Sequence, residues 1–181
     1  MNQEKSVHLA EPWLRGTLTD VAAVARAVLH ALELADEDIH RWAGRLTDEE
    51  LNFQPCGIAP VAFHVRHISR SLDRLLTYAE GRQLSGEQFA LLNSELEPGA
   101  TRQEIFEEFE KALKIGVSRV RSLAGANMSE TREVGSKRLP TTVAGLLVHV
   151  ADHTQRHVGQ AVTTAKILVA QGKLLWGSNI A

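Results

Sequence analysis

Apolar residues recur at three- and four-residue steps through four long stretches of the chain, with charged residues between them. The first stretch runs roughly from Asp20 to Arg45 and carries Val21, Val24, Val28, Leu32, Ala35 and Ile39. The second opens near Pro60, a residue suited to a helix's first turn, and carries Phe63, Ile68, Leu72, Leu75 and Leu76 as far as Ala79, with Gly81 as terminator. The third starts at Thr101-Arg102-Gln103-Glu104, a capping-box pattern, and continues through Ile105, Phe106, Phe109, Leu113, Val117 and Val120 toward Gly125. The fourth begins near Thr141 and extends to Gln171, with Val143, Leu146, Leu147, Val150, Val162 and Leu168. Thr47-Asp48-Glu49-Glu50 and Ser85-Gly86-Glu87-Gln88 read as starts of short extra helical turns. No segment shows strand alternation between hairpin turn signals. Four amphipathic helices must bury their stripes against one another, which predicts an all-α four-helix bundle. The connection over residues 81–100 is longer than a tight turn and could cross the bundle end or cover a site.

A length of 181 residues suits one domain over 1–181. The 20 Lys+Arg nearly balance 22 Asp+Glu, and a net charge of −2 gives no reason to expect nucleic acid or an anionic membrane as partner. Met1-Asn2-Gln3-Glu4-Lys5-Ser6 lacks the apolar core of a signal peptide, and no stretch reaches the ~20 apolar residues of a membrane span, so a cytoplasmic location is expected. One cysteine excludes an internal disulfide framework and a Cys-based zinc cluster, whereas there are eight histidines. Any metal chemistry must therefore rest largely on imidazole.

Five of those histidines fall in two places: His64 and His67 on the second helix, His149, His153 and His157 on the fourth. A four-residue step drifts only about 40° around a helix, so His153 and His157 leave one face a turn apart and can reach a common ion. A third ligand from the facing helix, His64 or His67, would complete a three-histidine site within the bundle. The alternative is a pair of buried imidazoles satisfied by ordinary polar partners. No Glu lies inside the pair, which excludes the His-Glu-x-x-His arrangement of zinc proteases.

The stretch His153-Thr154-Gln155-Arg156-His157-Val158-Gly159-Gln160 resembles the His-x-x-x-His-x-Gly-Gln signature of the DinB/YfiT-like superfamily. Pro60 to Asp73, with His67-Ile68-Ser69, resembles the family's other marker, a helix opening after a Pro/Gly loop. The resemblance implies an up-down-down-up four-helix bundle, often a homodimer. It also implies three metal ligands, here His67, His153 and His157, holding nickel or zinc. His64, His149 and Gln160 are then candidates to stand behind the ligands or to meet substrate. Several relatives are similar to thiol-dependent transferases and isomerases that use a low-molecular-weight thiol such as bacillithiol or mycothiol. A metal-dependent enzyme of that type, acting on a small-molecule substrate, is the leading expectation. Its rivals are a metal-dependent hydrolase using bound water and a non-enzymatic metal-binding stress-response protein.

The other chemistry-bearing residues have plainer readings. Gly159 suits close helix packing. Asp152 and Arg156 point aside, and Asp73 is a surface or salt-bridge residue. Arg66, Arg70 and Arg74 form a stripe expected to be solvated, unless one of them binds an anionic substrate group. Cys56, His8, His30 and His40 are bystanders, Trp13, Trp42 and Trp176 are scattered, and the apolar tail Leu174-Leu175-Trp176-Gly177 is expected to dock on the bundle or on a second subunit.

Overall fold

The computed structural model describes residues 10–177, with side chains through residue 171. Met1–Ser6, His8 and the side chains of Leu174, Leu175 and Trp176 lie outside the described residues. The described chain is mostly helical. Its helices are α1 (Ala23–Ala43), α2 (Asp48–Asn52), α3 (Val61–Ala79), α4 (Gly86–Asn93), α5 (Arg102–Ser122) and α6 (Val143–Gly177).

The ends follow local chemistry. Thr47, Ser85 and Thr101 each close a capping box with the Glu or Gln three residues on, so both short helices and α5 start where side chains can satisfy the free N–H groups. Gly81, at φ 79°, ends α3 in a Schellman arrangement. Its N–H donates to the Tyr78 carbonyl at 2.9 Å and the Arg82 N–H to Thr77 at 3.0 Å.

The apolar stripes meet as their spacing requires. α3 packs against α5 and α6, and α1 against the same two helices. Leu32, Ile39, Ile68, Leu76, Phe109 and Leu147 are fully buried where these faces converge. Gly116 lets α5 approach α3 closely, since a Cβ there would stand 2.5 Å from Leu72 Cδ2.

Two expectations need correction. A hairpin precedes α6: β1 (Thr131–Val134) pairs antiparallel with β2 (Leu139–Thr142), with Thr131 opposite Thr142 and Val134 opposite Leu139. Four-residue strands with charged and exposed positions carry too little alternation to stand out. Their turn is closed by Gly135 and Arg138, both at positive φ. Because β2 runs straight into it, α6 starts at Val143 rather than Thr141.

The arginine stripe is also not a solvated face. Arg70 and Arg74 are buried beneath the 81–100 connection. Arg66 donates to the Glu97 carbonyl at 3.0 Å, Arg70 to the Leu91 carbonyl at 2.7 Å and Ser94 Oγ at 2.9 Å, and Arg74 to Glu95 Oε1 at 2.6 Å. The connection therefore lies along α3, and arginines that looked free to meet a substrate hold it there. Among the described residues no helix is long and apolar enough to cross a membrane.

Candidate metal centre

α3 and α6 pack along their length, which brings the two histidine groups face to face. His67, His153 and His157 each place one ring nitrogen within 4.8 Å of the other two. His67 Nε2 and His153 Nε2 are 2.9 Å apart. Two nitrogens bound about 2.0–2.1 Å from one ion stand roughly 3 Å apart, so the pair already has the spacing a shared ion requires. The ring centroids of His67 and His157 are 4.3 Å apart and those of His153 and His157 4.7 Å apart. Phe63 stacks on His67 at 5.4 Å and 28° and gives the group an apolar wall.

A residue without any sequence signal completes the arrangement. His67 Nδ1–H donates to Glu95 Oε2 at 2.6 Å, and Arg74 donates to the other oxygen of the same carboxylate at 2.6 Å. Glu95 is only 5% exposed, although it belongs to the connection after α4. Burial pulls its carboxyl upward, but the hydrogen bonds and charges of His67 and Arg74 outweigh that and hold it below the ordinary carboxylate value. With Nδ1 turned to Glu95, Nε2 is the nitrogen of His67 that faces His153 and is placed to bind an ion.

Burial, followed by the neighbouring charge of His67, pushes His157 down to about 3 and His153 to about 4. His64 is pushed to about 4 for the same two reasons. At neutral pH these rings are uncharged, the state in which imidazole binds metal. Three imidazoles, two of them held uncharged and the third oriented by a buried carboxylate, fit a divalent ion well.

These shifts also set the acid sensitivity of the metal-free fold. Unfolded imidazoles take up protons near 6.5, whereas His64, His153 and His157 resist until about 4, 4 and 3. Acid therefore favours the unfolded chain as pH falls below 6.5. His40 opposes this, because its hydrogen bonds with Asp36 and Glu110 outweigh burial and raise it, but it is one ring against three. In chelator, the unfolding temperature is expected to drop already between pH 6.5 and 5, above the range of most carboxylates, and less steeply in His157→Asn. A flat profile over that range would contradict the assigned shifts.

The remaining candidates separate clearly. His64 is buried behind the group, with Nδ1 3.1 Å from His157 Nδ1. His149 lies a turn before His153, ring centroids 5.3 Å apart, but its side chain is 46% exposed and it stands outside the three-nitrogen group. Gln160 is exposed. Gly159 does not serve helix packing: it is exposed, and a Cβ there would meet nothing within 4 Å. Instead it borders an open groove of about 520 Å³ beside His64, with Arg156, Gln160, Thr163 and Thr164. Asp152 and Arg156 pair with each other at 2.6 Å on the exposed side of α6. Asp73 pairs with Arg119 at 2.6 Å. Cys56 is exposed, His30 is buried against Thr17 Oγ1 at 3.1 Å, and Trp42 lies under Lys166 Nζ at 4.1 Å from the ring centre.

A comparison with curated proteins finds no match. The profile of the DinB superfamily matches residues 17–161, a span that takes in α1, the histidines of α3, the Glu95 connection and the His153–Gln160 run of α6. On that match, the chain belongs to the DinB superfamily.

Proposed function

We propose that this protein is a metal-dependent enzyme in which His67, His153 and His157 hold a divalent ion, nickel or zinc. It acts as a thiol-dependent S-transferase or isomerase on a small-molecule substrate. The observation that carries this reading is a group of three imidazole nitrogens within 4.8 Å, with the nearby polar side chains engaged elsewhere. Glu95 is taken by His67 and Arg74, His64 by His157, and His149 is turned outward. Three protein donors leave room for an outside ligand, as catalytic sites do. A divalent ion bound there would supply a Lewis acid able to keep a thiol ionised near neutral pH.

The chain's own residues account for the rest. Glu95 fixes the ring of His67, and His64 shares a proton with His157. The groove beside His64 offers a guanidinium, an amide and two hydroxyls to a polar substrate. Neither the histidine group nor the groove lining contains sulfur, so a reacting thiol would arrive with a low-molecular-weight cosubstrate. We take the single domain to be a four-helix bundle of up-down-down-up order, which the packing of α1, α3, α5 and α6 and the family match support, and we take it to pair as a homodimer.

The test loads the purified protein with zinc or nickel and offers a low-molecular-weight thiol with a panel of electrophiles. Metal-dependent thiol consumption with at least one electrophile is expected, and it should stop on chelation. Turnover that needs metal but no thiol would favour hydrolysis by bound water. An inert metal-loaded protein would leave the non-enzymatic reading standing.

A further inference from the structure

Glu95 reaches His67 from a segment that has no packed face of its own. α4 buries none of its residues, and a cavity of about 520 Å³ lies between α3, α4 and α5. The segment is held by polar contacts from Arg66, Arg70 and Arg74. A stretch with few apolar contacts over a void belongs to the low-stability end of a fold. Yet it delivers a carboxylate that is 5% exposed and uses both oxygens. A buried carboxylate is tolerated only while paired. Two states follow: the segment latched with Glu95 paired, or lifted with Glu95 in water.

We infer that residues 86–98 form a strap whose latch, Glu95 clasped between His67 and Arg74, sets the strength of the metal centre, so that metal binding and strap closure reinforce each other. This rests on the proposed metal site. Glu95 is a positioning residue: it fixes the plane of His67 and keeps the Nδ1 proton away from the ligating nitrogen. With the strap lifted, His67 can rotate and exchange tautomers, and binding must restore the order that the latch supplied. Linkage is reciprocal, so whatever factor closure adds to metal affinity, metal adds to closure.

The experiment uses the full chain. Zinc affinity is read by competition with a chromophoric chelator, and amide exchange over residues 86–98 is followed with and without zinc. Glu95→Ala is expected to weaken zinc about 10–100-fold. Glu95→Gln, which keeps an oxygen for the His67 proton but loses the charge facing Arg74, should fall between. Arg70→Met removes the contacts to Leu91 and Ser94, together with the pairing to Glu108 on α5, while leaving the ligands and Glu95 in place, and should weaken zinc by a smaller factor. Zinc should slow strap exchange in the wild type but not in Glu95→Ala. The visible bands of the cobalt-loaded protein should shift in Glu95→Ala and be largely restored in Glu95→Gln. A purely structural Glu95 would lower the unfolding temperature without moving the cobalt bands or the zinc-dependent exchange. If Glu95→Ala does not fold, Glu95→Gln and Arg70→Met carry the measurement. A wild type that binds no ion overturns the metal reading and the strap together. A wild type that binds zinc, with unchanged affinity in the variants or no zinc effect on strap exchange, overturns the strap alone.

Discussion

Replacing His153 with alanine is expected to leave the purified, tag-free protein essentially without bound metal. The loss should exceed the roughly 10–100-fold that follows removal of a partner behind a ligand, because a donor itself is gone. His153 is the pivotal ring. It lies one turn from His157 on α6 and 2.9 Å from His67 Nε2 across the helix pair, so its removal leaves two donors on different helices. Held at about 4, it is neutral and ready to bind at pH 7. His149→Ala is the matched control: it deletes an imidazole from the same helix one turn earlier, exposed and outside the group, and should keep full stoichiometry. Elemental analysis and chelator competition read both variants. Undiminished metal in His153→Ala would remove the assignment of the site.

How much of this centre could be read from the chain depends on how far each signal reaches along it. A helix writes its face into residues three and four apart, so α1, α3, α5 and α6 were visible as stripes, and the capping boxes at Thr47, Ser85 and Thr101 as four-residue patterns. The pairing of His153 with His157 is of the same local kind. Glu95 is different. Its partner is 28 residues away, and nothing around it distinguishes it from Glu97. The misreading of Arg66, Arg70 and Arg74 has the same origin, since periodicity marks a polar stripe but not the strap that covers it. Only the length of the 81–100 connection, beyond that of a tight turn, hints at a covering segment. Gly159 shows the converse error: a glycine in a helix suggests close packing, whereas here the missing side chain leaves open space beside His64.

Phe109→Ala should produce the largest loss of stability, about 3–5 kcal/mol by denaturant unfolding. Phe109 is fully buried on α5 and its ring centre lies 6.3 Å from that of His40 on α1, so it fills the space where the two helices meet. The loss is a large part of the roughly 5–15 kcal/mol that holds an ordinary domain together. α5 supplies none of the three imidazoles, so the folded fraction should bind metal with wild-type affinity. A ligand present at about 100 times its dissociation constant adds about 2.7 kcal/mol to the folded state. Excess zinc should therefore restore much of what Phe109→Ala removes, and should restore nothing in Phe109→Ala combined with His153→Ala. The two variants thus read one linkage from opposite ends. If zinc rescued the double variant equally well, the stabilising ion would have to be held somewhere other than between α3 and α6.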